Sequence, residues 1–227
     1  MSLSPELQSL LSSQWLARAL SERDAHHRFR WLAQVIETTE PYFGLVDEIR
    51  SASADEGQHL DLCWQQAKRF GAETLPEYKG FQPFFAGDIL CELVTLFCVM
   101  ETINAALLVA SRDSLQDPTL RDICHQILKD EVQHARIGWA ALSIAREEER
   151  AIVWTKIPQI LKAAGVHKID KEDSIPLHEP KWGIFDRATR VAIFEQTMDS
   201  VIIPGFIQLG FQPSMSWQSM IKGIQES

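Results

Sequence analysis

The string Asp55-Glu56-Gly57-Gln58-His59 with Trp64 five residues on recurs as Asp130-Glu131-Val132-Gln133-His134 with Trp139. Both copies read D-E-x-Q-H-x-x-x-x-W. On a helix, residues three apart share a face, so Glu56 and His59 aim at one point, as do Glu131 and His134. One Glu-x-x-His pair means little; two copies with matching flanks are hard to ascribe to chance. The fold must place two helices so that both polar strings are tolerated.

The rest of the chain reads as helix. Apolar residues recur at three- and four-residue steps, and alternating β-branched runs and Asn-Gly hairpin signals are missing. The spacing predicts a helix over residues 5–38, and a second from Pro41 to Phe70 that stops at Gly71. Pro76, Gly80 and Pro83 mark residues 72–87 as a crossover. Further helices are expected over 88–111, over 117–146 from Asp117-Pro118, over 151–164 after the charged joint 147–150, and over 185–203, ending near Pro204-Gly205. Residues 165–180 read as loop, and the tail beyond Phe211 is weakly specified. The expectation is an all-α single domain, 1–227. Residues 5–147 form two antiparallel hairpins joined by a crossover, a four-helix bundle, and 148–227 form a helical extension.

Composition narrows the functional classes. The chain has 227 residues, 45% of them hydrophobic, a formal charge of −9 and a pI near 5.3. Without a basic stripe it is a poor partner for nucleic acid. Residues 89–110 are apolar over the length that crosses a bilayer, but Glu92, Glu101 and Asn104 are costly in lipid. A buried bundle helix is the better reading, and no membrane association is expected. Cys63, Cys91, Cys98 and Cys124 form no CxxC pair. Together with an N-terminus unlike a signal peptide, they point to buried thiols in a cytoplasmic protein.

A metal site in a bundle needs one more Glu from each of the other two helices. On the third helix it is Glu101, in an apolar run where a lone carboxylate would cost several kcal/mol. On the first helix Glu22 competes with Glu37. Facing residues of a hairpin stand equally far from the turn. The midpoint of positions 101 and 131 is 116, beside Asp117-Pro118; that of 22 and 56 is 39, within the Thr38–Pro41 turn. Glu37 would miss Glu56 by about 20 Å at helical rise. The candidate ligands are Glu22, Glu56, His59, Glu101, Glu131 and His134. Four carboxylates offset two divalent ions, and carboxylate with imidazole suits iron or manganese. Asp55 and Asp130 are assigned to hold the ligand histidines by their outer N–H. Asn104 shares the Glu101 face as a pocket residue. Glu92 falls half a turn from Glu101 on a regular helix and is set aside. Trp64 and Trp139 read as core packing, and His125 as structural. His26 and His27 read as surface groups or neighbours of the ligands. Glu195 would line a pocket or pair with an arginine.

This pattern resembles the ferritin-like di-iron carboxylate superfamily over residues 5–147, and its Asp-Glu-x-x-His form is similar to that of bacterial multicomponent monooxygenase hydroxylases. The resemblance implies two Fe ions, or a Mn/Fe pair, with O2 as co-substrate. It implies oxidation of a small organic substrate by hydroxylation, N-oxygenation or desaturation, with the six candidate ligands as catalytic groups. Without a CxxC electron-transfer module, electrons would come from a separate donor. The alternatives are a ferroxidase or iron-handling protein, and a metal-free helical scaffold. The apolar stretch Phe206–Trp217 offers a contact for a homodimer.

Overall fold

The computed structural model describes residues 3–165 and 178–225; most of the predicted 165–180 loop lies outside them. The described residues are helical and contain no strand, only an isolated bridge between Glu179 and Ile184. The chain divides into two compact units, Met1–Pro83 and Phe84–Ser227.

The first unit is a helical hairpin. Helix α1 spans Pro5–Ile36, capped by Ser4, whose Oγ accepts the Leu7 N–H at 3.2 Å. Its apolar stripe, including Leu11, Phe29, Leu32 and Ile36, is fully buried. Helix α2 spans Val46–Arg69. It starts five residues later than its expected Pro41 start, because a turn and a single 3-10 segment, Tyr42–Leu45, intervene. Buried Tyr42 occupies that segment and draws the chain inward before α2 begins. Glu37 lies at the C-cap of α1 and pairs with Arg50 at 2.6 Å, a helix-end role.

After α2, residues 72–83 run back along α1 without regular structure. Arg23 donates to Pro76 O, Arg28 donates to Gln82 O at 3.0 Å, and Tyr78 stacks on His27 with ring centroids 4.1 Å apart.

The second unit opens with α3, Ile89–Ser114, capped by Asp88 through the Cys91 N–H at 3.1 Å. Among the described residues it is the one helix long and apolar enough to cross a membrane, and 67% of its apolar window is buried inside the protein. Its middle, Val94–Glu101, is π-helical. The wider turn advances each residue by less than the ~100° of an α-helix, which reduces the half-turn expected between Glu92 and Glu101. Both carboxylates are buried, and Glu92 Oε2 accepts the Phe85 N–H at 2.8 Å. Helix α4 spans Pro118–Ile144, with Asp117 as cap as expected.

Helix α5, Glu147–Ala163, begins four residues earlier than expected. The acidic run read as a joint is its first turn, where negative charge suits the helix dipole; Glu149 Oε2 accepts the Arg146 N–H at 3.0 Å. Helix α6 starts as Arg187–Thr197, passes through a π turn at Met198–Ile202 and ends as Ile203–Gln208. Pro204 therefore does not end it: the π turn has already broken the regular hydrogen-bond ladder that a proline would interrupt. The tail carries α7, Trp217–Gln225, pinned where Trp217 Nε1 donates to Asp199 Oδ1 at 2.7 Å. Phe206, Phe211 and Trp217 are buried.

Candidate metal centre

Each unit holds one copy of the same triad. In the first, Glu22 comes from the middle of α1, and Glu56 and His59 from α2. In the second, Glu101 ends the π segment of α3, and Glu131 and His134 come from α4. All six side chains are buried, at 1–7% exposure. Within each triad every residue offers a ligand atom within 4.8 Å of the others. Glu22, and not Glu37, is the α1 carboxylate that stands beside Glu56 and His59.

The distances repeat as well. His59 Nδ1 stands 3.6 Å from Glu56 Oε2 and 4.0 Å from Glu22 Oε2. His134 Nδ1 stands 3.7 Å from Glu131 Oε2 and 3.9 Å from Glu101 Oε2. These separations exceed the ~3.2 Å limit of a good N–H···O hydrogen bond. They suit donors around one cation: ligands each about 2.1 Å from an ion stand roughly 3.0–4.2 Å apart, depending on the angle. Glu131 Oε2 is buried with no hydrogen-bond partner among the described residues. Two carboxylates and one imidazole per triad balance one divalent ion, and the hard donor set fits iron or manganese better than a thiophilic metal. The residues therefore fit a buried metal, with Nδ1 as the histidine donor in both triads.

The flanking residues sort differently. Asp55 and Asp130, immediately before the candidate ligands Glu56 and Glu131, are each half-buried, as is Asn104, one turn after Glu101. Gln58 and Gln133 are exposed, and Gln133 accepts from Arg136 at 2.9 Å. His125 is exposed. Glu195 is exposed too, while its neighbour Phe194 on α6 is buried. Trp64 is half-buried under Lys68, and Trp139 packs on Phe206 with centroids 5.3 Å apart.

Three structural residues escaped the reading of spacing. Gly138, one turn after His134, faces Cys98, and an added Cβ would lie 2.6 Å from Cys98 Sγ. In the other triad, Ser53 and Gly57 meet His26. Ser53 Oγ donates to His26 O at 3.0 Å, and His26 Nδ1 lies 2.6 Å from Ser53 O. The visible signal was the slot between Glu and Gln in the repeat, which holds Gly57 in one copy and Val132 in the other.

Comparison of the chain with known protein families, with characterised proteins and with solved structures found no match.

Proposed function

We propose that the two triads assemble into one dinuclear metal centre within a ferritin-like four-helix bundle, and that the chain is an O2-activating oxidoreductase acting on a small organic substrate. The observation that carries this reading is the pair of buried Glu/Glu-x-x-His triads with donor atoms 3.6–4.0 Å apart. In this reading residues 5–147 are the bundle that carries the ligands, and residues 148–227 are an extension to it.

Glu22, Glu56 and His59 hold one ion, and Glu101, Glu131 and His134 the other. When bound, two iron ions, or a manganese–iron pair, supply the capacity to bind O2 and pass electrons to it. The chain's own part is to hold charge and exclude water. Four carboxylates neutralise two divalent ions, and their burial keeps bulk solvent from the reacting atoms. Asp55 and Asp130 accept the outer N–H of a ligand histidine, which fixes the Nδ1 donor tautomer and raises its basicity. Asn104 orients the substrate from the helix that carries Glu101. A separate reductant supplies electrons. Four buried thiols support a reducing compartment such as the cytoplasm.

The test loads the protein with Fe(II) anaerobically, adds a chemical reductant and follows O2 uptake with small aromatic and amine probes. Multiple turnovers that a probe accelerates support the oxygenase. Uptake that stops after the bound iron is oxidised, is unmoved by any probe and resumes only with added Fe(II) would instead make iron the substrate.

A further inference from the structure

The two triads have the same ligands and different backing. Position 26 is four residues after Glu22, and its counterpart after Glu101 is Ala105; position 53 is three before Glu56, and its counterpart before Glu131 is Leu128. Only the first hairpin therefore carries a polar bridge at this level. A carbonyl oxygen can only accept, so His26 carries its proton on Nδ1 and donates to Ser53 O at 2.6 Å. Ser53 Oγ returns a bond to His26 O at 3.0 Å. The two bonds join α1 to α2 one turn from Glu22 and one turn from Glu56. Gly57 lies beside the bridge: a Cβ there would stand 3.4 Å from His26 Nδ1, in ordinary contact with the ring. On its outer side His26 meets His27 edge-on at 5.1 Å. The second hairpin is fixed by apolar contact instead, Gly138 against Cys98.

We infer that His26 is a positioning residue, a clamp that sets the register of Glu22 against Glu56 and His59 and so governs the affinity of the first triad alone. This rests on the metal-centre reading above. It makes the two metal positions inequivalent despite identical ligands. A register error of a fraction of an ångström between α1 and α2 separates the α1 carboxylate from its partners, while α3 and α4 keep theirs.

Anaerobic titration of the metal-stripped, full-length chain with Co(II), followed by visible absorbance, tests the clamp. Wild type is expected to take up two ions. His26→Ala is expected to keep one ion at wild-type affinity and to bind the other at least tenfold more weakly. His26→Asn, whose side-chain amide N–H can reach Ser53 O, is expected to recover most of that loss. Combining His26→Ala with His134→Ala should leave no tight ion, whereas combining it with His59→Ala should leave one, because the last two substitutions act on the same triad. Circular dichroism melts of the variants report folding separately. If folded His26→Ala binds both ions as wild type does, or loses both affinities equally, the clamp is overturned and the metal centre stands. If wild type binds no Co(II), the metal-centre reading itself fails and the clamp with it.

Discussion

Gly138 brings α4 against the backbone of Cys98 in the π segment of α3: a Cβ on Gly138 would meet Cys98 Sγ at 2.6 Å and Cys98 N at 2.7 Å. The second obstacle is main chain and cannot swing aside. Gly138→Ala is therefore expected to destabilise the protein by about 1–3 kcal/mol, although alanine is the better helix former. Gly57→Ala, whose Cβ would lie 3.4 Å from a histidine ring, should cost far less. Urea unfolding of both variants checks the contrast, and equal midpoints would contradict it.

Glu131, a candidate ligand, has a buried Oε2 that accepts no hydrogen bond among the described residues. Without metal, a carboxylate oxygen buried without a hydrogen-bond donor opposes folding. Glu131→Gln is expected to stabilise the metal-free protein by about 1 kcal/mol or more. It should also remove the second triad's share of the stabilisation that metal gives wild type, about 2.7 kcal/mol per ion at a hundredfold excess over Kd. Thermal melts with EDTA and with Co(II) measure both effects. A variant less stable than wild type in EDTA would contradict the account.

Lys156 Nζ donates to Asp88 Oδ2 at 2.6 Å, joining α5 to the cap of α3. Burial pushes the Asp88 carboxyl up, but the Lys156 bond and the Cys91 N–H outweigh it, and the group titrates below its usual range. The same bond holds the Lys156 ammonium above its usual range. A depressed acid contributes stability above its unfolded pKa and loses it as pH falls through the folded one. A raised base contributes below its unfolded pKa and loses it as pH rises through the folded one. Lys156→Met should therefore cost about 0.5–1 kcal/mol between roughly pH 5 and 10. The gap from wild type should close on acidification through the Asp88 titration, as Tm against pH would show.

The thiols should be inert. Burial pushes Cys91 up to about 12, with help from Asp88, and pushes Cys98 well above the ordinary thiol range. All four cysteines are buried thiols. A thiol reagent at pH 8 is expected to modify none of them in the native protein and all four in denaturant. Rapid labelling of native Cys91 or Cys98 would contradict their placement.

Much of this was legible because helices obey simple spacing. The Glu-x-x-His repeat needs only a three-residue step to converge, and Glu22 follows from counting along two helices to their common turn. What escaped were departures from regular pitch and from pairwise logic. The π segment Val94–Glu101 alters the phase between Glu92 and Glu101, and no 3.6-residue periodicity reports it. The π turn at Met198–Ile202 carries α6 through Pro204, which by itself reads as a stop. The acidic run 147–149 looks like a linker until its cap at Arg146 is seen. The His26–Ser53 bridge joins residues 27 apart, and only packing brings them together. Glu195 shows the opposite case: an apolar neighbourhood in sequence is not burial when the helix turns that residue outward.

The central claim is one coupled pair of ions held by both triads. Its most direct measurement is iron content and Mössbauer spectra after anaerobic Fe(II) loading and exposure to O2, for wild type and for Glu101→Ala. The account predicts two irons per chain in wild type, oxidised to a magnetically coupled pair, and clear loss of iron with no coupled pair in the variant. Two uncoupled ferric ions, or no stoichiometric iron, would contradict it.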